Sequence, residues 1–417
     1  MNYTTKIRAK SEDIVICVLY VVLIFFDQIS TYIPLASYLD EFIAMIAFLW
    51  MIIKKKKIGM HSIEFKIIMS CNAIVAIGLF SNLFFGYVVN ISIITRDIVG
   101  TFKFILSFLA FDYIFIKKRF NVSKKLITTA KILITIIFVC GIISLFVNIG
   151  MGDMVRYGVR SYKFIFSYYN ILVYTEVLLI ATIMCDKKSN FVFYIMSFIS
   201  ILLTFRTKGI IVIILVFGFK MLELKKSNPI IYGGITKNLK YIIPIAIVTL
   251  LAVREKVAEY LSWGKYNSIR IGALVEGWNM LKDHFPLGTG FGTYGTNLSF
   301  YTDSVLYSIY DNINYKLMMD PQYGFATMSD TYWPSIYAQF GIIGFILFAY
   351  CLCLCFKKIR INRYIPDCNK QAGIFILLYL TVNSFSEATF TNSSGVVSAI
   401  MIAIISTMSG KVFRNSI

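Results

Sequence analysis

The chain has 417 residues, 58% of them hydrophobic and only 15% charged, with a mean hydropathy of +0.73. Soluble domains carry roughly a quarter charged residues, so a water-soluble globular class is excluded. The formal net charge of +19 would point to nucleic acid on a soluble protein, but here its distribution follows the rule that orients membrane proteins, and that reading is excluded too.

Apolar runs near the ~20 residues that cross ~30 Å of hydrocarbon recur at 14–33, 35–53, 66–88, 93–116, 127–149, 164–185, 190–205, 209–223, 240–253, 332–356, 371–386 and 395–410. Lipid leaves backbone N–H and C=O groups unsatisfied in anything but a helix or a closed barrel. The expectation is an all-α polytopic membrane protein of about 12 transmembrane helices, a single membrane domain over 1–417. The first run is too long for a signal peptide and lacks a small-residue cleavage pattern. With the N-terminus in the cytoplasm, the inside segments collect 26 of the 41 basic residues, including the KKKK run Lys54 to Lys57 and the KKIRINR stretch. Both termini are then cytoplasmic. Six cysteines fall in spans, and Cys185 and Cys368 fall at the inner side, so no disulfide framework is expected.

Ionisable groups inside a span are costly and are functional candidates by default. Lys103 lies about ten residues into the fourth span, on one face with Arg96 and Gly100. Glu176 lies at similar depth in the sixth span, so a Lys103–Glu176 ion pair is expected, serving either function or helix packing. Arg156, Arg160 and Lys163 cluster in an outside connection. The short seventh and eighth spans meet at RTKG, Arg206 to Gly209. Because sixteen residues reach only ~24 Å, this turn is expected to sit recessed in the membrane, with an ordinary exposed basic turn as the alternative; its two cations run against the positive-inside rule.

One connection is long. Residues 254–331 carry six basic and eight acidic residues and fall outside; a loop of that length is usually functional. It holds a helical pattern, SIRIGALVEGWNMLKDHF, with Ile271, Leu274, Trp278, Leu281 and Phe285 as an apolar stripe and Glu276, Asn279 and Asp283 on another face. Pro286 ends it. GFGTYG follows, a literal G-x-G-x-x-G at Gly290, Gly292 and Gly295. A dinucleotide loop needs a strand before the glycines, whereas a helix and a proline precede these, on the side of the membrane that lacks such cofactors. Gly288, Gly290 and Gly292 are read instead as allowing a tight backbone path or close approach to a ligand. Eleven aromatic residues within 291–333 fit an interfacial belt or sugar stacking. Asp303, Asp311 and Asp320 have no metal-loop spacing and are read as solvated.

Three segments carry a family resemblance. RIGALVEGWNMLKDHFPLGTGFGTYG resembles the Arg-helix-Pro-x-Gly-x-Gly signature in the large loop of the O-antigen polymerase and ligase superfamily. SDTYWPSIYAQFGIIGF, with Gly341 and Gly344, resembles the segment that closes that loop. LLTFRTKGIIVIILV resembles the turn ending in Ser/Thr-Arg-Gly, with Lys208 at the Arg position and Arg206 two residues earlier. Ligases of this superfamily have His-Asn where this chain has Ser329 and Asp330. The resemblance implies a GT-C-like, metal-independent membrane glycosyltransferase without a cofactor, in the bacterial cytoplasmic membrane. Its substrate would be an undecaprenyl-diphosphate-linked glycan, and a chain-length regulator and a flippase are the implied partners.

Such chemistry needs cations for the diphosphate leaving group and a base for the acceptor hydroxyl. The cation candidates are Arg270, Arg206, Lys208, Arg156 and Arg160. The base candidates are Asp330, Glu276 and His284, with capping of the helix end as the alternative role for His284. Polymerase is the leading expectation; O-antigen ligase and lipid-linked-oligosaccharide flippase are the alternatives.

Overall fold

The computed structural model describes residues 3–33, 38–54, 59–117, 123–156, 158–186, 190–227, 269–302, 304–310, 331–362 and 365–408. These are mostly helical. In chain order the helices are α1 Tyr3–Ile24, α2 Phe26–Tyr32, α3 Leu39–Lys54, α4 Ile63–Phe85, α5 Ile91–Lys117, α6 Ser123–Phe146, α7 Tyr169–Met184, α8 Phe191–Leu202, α9 Thr207–Ser227, α10 Ile269–Asp283, α11 Asn297–Tyr301, α12 Leu306–Ile309, α13 Trp333–Ile361, α14 Asp367–Asn383 and α15 Ser393–Thr407. One two-stranded hairpin, β1 Val155–Arg156 with β2 Val159–Arg160, lies between α6 and α7, with Val155 opposite Arg160.

Local chemistry sets the helix ends. Ser62 caps α4 by accepting from the Phe65 N–H at 3.1 Å, and Gly86 closes it in the left-handed region at φ 67°. Helix α5 packs between α3 and α15, α4 runs along α13, and α7 packs against α6 and α14. The core is mainly apolar, with Phe104, Phe348, Phe375 and Phe390 fully buried, and it also encloses ionisable groups such as Asp40, Lys103 and Glu176, while leucine, isoleucine and phenylalanine crowd the outer surface as well. A surface of this kind is stable in lipid rather than water.

The described residues match an all-α membrane protein but not twelve spans. Four helices are long and apolar enough to cross a bilayer, Ile63–Phe85, Ile91–Phe115, Lys124–Phe146 and Trp333–Ile361, or five if the pair Ile14–Ile24 and Phe26–Tyr32, bent by 68°, is one span. Other expected spans are shorter apolar helices, Tyr169–Met184, Phe191–Leu202, Lys208–Phe219 and Ser393–Thr407, and apolar side chains also occur in turns. The run at 164–185 becomes a helix only from Tyr169, after Phe164 takes φ 56°, and the run at 190–205 stops at Leu202, before Phe205 takes φ 49°. The 14–33 run breaks at Phe25. The 240–253 run lies outside the described residues, as do residues 254–268, 303 and 311–330 of the long loop.

Helix α13 is interrupted at Gly341, with φ 63° and ψ −167°. The stretch from Ile342 to Ile361 is about 20 residues, ~30 Å, which is one hydrocarbon thickness. Trp333 to Phe340 therefore forms a separate segment at the N-terminal end of that span.

Candidate functional site

The glycine-rich turn is a buried wedge. Gly288, Gly290, Gly292 and Gly295 all have positive φ, from 72° to 97°. The turn fits between the end of α4 and the break in α13. A Cβ on Gly288 would lie 2.4 Å from the Gly341 nitrogen, and one on Gly290 2.8 Å from the Asn82 nitrogen. The backbone groups of the turn are satisfied internally. Phe291 N–H donates to Asn82 Oδ1 at 2.7 Å, and Gly292 N–H donates to Asp97 Oδ2 at 2.8 Å. Thr289 and Gly290 N–H donate to the Ala338 and Gln339 carbonyls, and Gln339 Nε2 donates to the Tyr294 carbonyl. Of the two roles read from the sequence, the tight backbone path describes this geometry: the amides that would meet a ligand are already used by Asn82, Asp97 and Gln339.

Helix α10 does not face as its stripe predicts. Leu274, Trp278 and Phe285 are 42%, 51% and 68% exposed, whereas Glu276 is buried beside Met280 and Leu281. Glu276 accepts from Asn279 Nδ2 at 3.2 Å. Of the stripe, Leu281 turns inward while Leu274, Trp278 and Phe285 turn outward; the inward face is closely packed at Gly277, where a Cβ would touch Tyr337, Pro334 and Tyr294. His284 has both ring nitrogens engaged. Nδ1 lies 3.0 Å from the Met280 carbonyl, so it carries the proton, and Nε2 accepts from Tyr87 O–H at 2.9 Å. Its ring packs edge-on to Phe85. His284 thus sits as a helix cap. Arg270 is half-buried at the start of α10. Asp330, Asp303, Asp311 and Asp320 lie outside the described residues; two residues past Asp330, Tyr332 N–H donates to the Ser384 carbonyl at 3.0 Å.

The cations gather where the 147–168 connection meets the turn between α8 and α9. Tyr162 N–H donates to the Leu203 carbonyl at 2.8 Å and joins the two. The Arg206 guanidinium lies 5.0 Å from the centroid of the Tyr169 ring, a cation–π distance. Lys208 pairs with Glu387 and donates to the Ser386 carbonyl at 3.3 Å. Glu387 is a hub: Asn170 donates to one of its oxygens and Asn383 to the other, the latter at 2.8 Å. Lys163 Nζ donates to Asp153 Oδ2 at 2.6 Å, and Tyr169 O–H donates to the other oxygen of Asp153. Lys163 and Tyr169 hold the Asp153 carboxyl down at about 2. Arg160 is half-exposed on β2; Arg156 is placed by its backbone only, opposite Val159.

Gly209 lets α8 and α9 close on each other, since a Cβ there would lie 2.3 Å from Ile201 Cγ2. Phe164 and Phe205 are the non-glycine residues with left-handed backbone among the described residues. The first directly follows Lys163 and the second directly precedes Arg206. A bulky residue costs about 1–3 kcal/mol there.

Sequence reasoning missed Tyr169, Asp153 and Glu387. A usable signal was present: Asp153 is the lone acid in the connection after α6, and Glu387 the lone acid between α14 and α15.

The expected Lys103–Glu176 pair is not formed. Lys103 Nζ lies 2.7 Å from Asp40 Oδ2 and 3.6 Å from Glu41 Oε1, because α3 rather than α7 packs on that face of α5. Glu176 is fully buried in α7, and neither carboxyl oxygen has a hydrogen-bond partner among the described residues. No group of three His, Cys, Asp or Glu side chains among the described residues is arranged to hold a metal ion.

No family model matches the chain, and no curated protein matches it.

Proposed function

We propose that this chain is a polysaccharide polymerase that joins undecaprenyl-diphosphate-linked repeat units at the outer face of the bacterial cytoplasmic membrane. The observation that carries the reading is the joining, by the Tyr162–Leu203 backbone bond, of the connection that holds Lys163 to the turn that holds Arg206 and Lys208, with a strained phenylalanine next to Lys163 and another next to Arg206. Strain of that kind persists only where the surroundings over-determine it, and it concentrates at functional sites. The RTKG turn is also one of the segments that carry the family resemblance.

In this reaction the acceptor hydroxyl forms a new bond to the anomeric carbon of the donor sugar. The bond from that carbon to the diphosphate oxygen breaks, and its electron pair leaves on the lipid diphosphate. The guanidinium of Arg206 suits two phosphate oxygens at once, whereas Lys208 supplies a point charge. The hydroxyl proton passes to a carboxylate: Asp330 in the closing segment of the loop, or Glu276. The loop 254–331 and the cation turns face outward, both termini face the cytoplasm, and a flippase and a chain-length regulator act beside the enzyme.

The bend between α1 and α2 favours a second reading. It places Asp27 beside the break, where Asp27 accepts from Ser393 at the start of α15. Broken helices flanked by polar groups are a device of transporters. A host with an outer-face ligase separates the two. Deletion of the gene, and Arg206→Ala at normal membrane level, should each leave envelope glycan of a single repeat unit. Arg206→Lys should recover little. Units confined to the cytoplasmic leaflet in the deletion strain would replace the polymerase with a flippase.

A further inference from the structure

The outward face of α10 is a second place where the fold breaks the pattern of a soluble loop. Leu274, Val275, Trp278, Lys282 and Phe285 share that face, and all five are exposed. With Tyr337 and Asn279, four of them line an open groove of about 440 Å³. Trp278 meets Tyr337 edge-on with ring centroids 6.3 Å apart, and Lys282 Nζ lies 6.0 Å from the Trp278 centroid.

Its depth follows from its supports. Tyr337 O–H donates to the Leu274 carbonyl at 3.0 Å, which ties α10 to the segment of α13 just beyond the Gly341 break. That segment begins where one hydrocarbon thickness of α13 ends, so α10 sits at headgroup level. The face is continuous with lipid-facing surface in two directions. Along α13 the exposed side chains are Ile343, Ile346 and Tyr350; toward α4, Phe285 leads past His284 and Phe85 to the exposed Phe84, Leu83 and Phe80. Tryptophan and tyrosine are favoured at this depth, and a lysine there keeps its ammonium among the headgroup phosphates while its stem lies on apolar surface.

The geometry points to α10 as an interfacial helix whose Leu274–Trp278–Phe285 face is covered by outer-leaflet phospholipid. An in-plane helix of this kind carries its apolar face into the acyl boundary and its polar face away from it. Here the opposite side, with Glu276 and the glycine wedge, is thereby pressed against the bundle. The lipid contact fixes the height of Arg270 at one end of the helix and of the Gly288–Gly292 turn at the other. This inference does not depend on the polymerase reading.

The test is tryptophan quenching in the full chain. A variant with Trp50→Phe, Trp263→Phe and Trp333→Phe keeps Trp278 as its one indole and is reconstituted into phosphatidylethanolamine–phosphatidylglycerol vesicles. Phospholipid brominated near the glycerol end of its chains should remove most of the Trp278 emission, and lipid brominated near the chain ends should remove less. Aqueous iodide should quench it weakly. If the triple variant does not fold, the difference in quenching between native chain and Trp278→Phe gives the same readout. Emission untouched by brominated lipid but quenched by iodide as readily as free tryptophan overturns the inference and makes the face a water-side surface for glycan or protein. Vesicles without polyprenyl lipid distinguish bilayer cover from substrate: quenching only after polyprenyl phosphate is added also overturns it.

Discussion

At the scale of single residues, the clearest consequence concerns charge pairs that sit partly inside. Lys208 and Glu387 are 15% and 24% exposed at their side chains, and two asparagines also donate to Glu387. Lys208→Met should cost about 1–3 kcal/mol, because it strands a half-buried carboxylate. The double variant Lys208→Met/Glu387→Gln should recover part of that loss, and thermal unfolding in detergent reads the difference. Equal losses in the single and double variants would show that the pair is not coupled. Asp153 gives a pH signature. Its folded value, about 2, lies below the ordinary carboxylate value near ~4. Its stabilisation is therefore complete above the ordinary value and is lost as pH falls through about 2. The melting-temperature gap between wild type and Lys163→Met at neutral pH should be small, as Asp153 is largely exposed, and it should close over that acid range. A gap that persists at low pH would mean that Lys163 acts through packing. The basic members of this cluster stood out in the sequence, because cations in connections expected on the outer side run against an orientation rule. Their partners were not, because Asp153, Tyr169 and Glu387 come from three separated segments that only the packing of α7 and α14 joins.

At the scale of elements, the glycine wedge separates two uses of positive φ. Gly86 has φ 67° and nothing within 4 Å of where a Cβ would sit, whereas Gly290 has φ 97° with Asn82 backbone at 2.8 Å. Gly86→Ala should cost only the ~1–2 kcal/mol of left-handed backbone. Gly290→Ala adds overpacking against an immovable backbone and should cost about 3 kcal/mol or more. Unfolding midpoints of the two variants in the same detergent check the order, and equal losses would mean that the wedge is not packed as described. The sequence reading placed a helix and a proline, not a strand, before the glycines, where helix α10 lies. It did not anticipate that Asn82, Asp97 and Gln339 would use the turn's amides, because these lie on α4, α5 and α13. Helix α10 was legible as a helix but turned the wrong way: an apolar stripe says that a face avoids water, and protein core and lipid both satisfy that demand.

At the scale of the whole molecule, hydropathy was enough for membrane embedding but not for counting spans, since apolar turns at Phe164, Phe205 and Phe25 read like helix. Orientation is the property on which an outer-face reaction rests. Helix α4 provides the ruler: its 23 residues, ~34 Å, separate Met60 before its start from the Gly86 end, where the glycine wedge docks. Tyr301 follows that wedge in α11 and is 69% exposed; Met60 is 73% exposed. In a variant with all eight cysteines replaced, Tyr301→Cys should react with a membrane-impermeant maleimide in right-side-out vesicles. Met60→Cys should react only after the membrane is opened, because it adjoins the KKKK run that the positive-inside rule keeps in the cytoplasm. The reverse pattern would turn the wedge and α10 inward, where a lipid-linked unit that has already crossed the membrane is out of reach, and the polymerase proposal would fall with it. Labelling of both positions in sealed vesicles would mean that α4 does not cross the bilayer, contrary to its length and its apolar sequence.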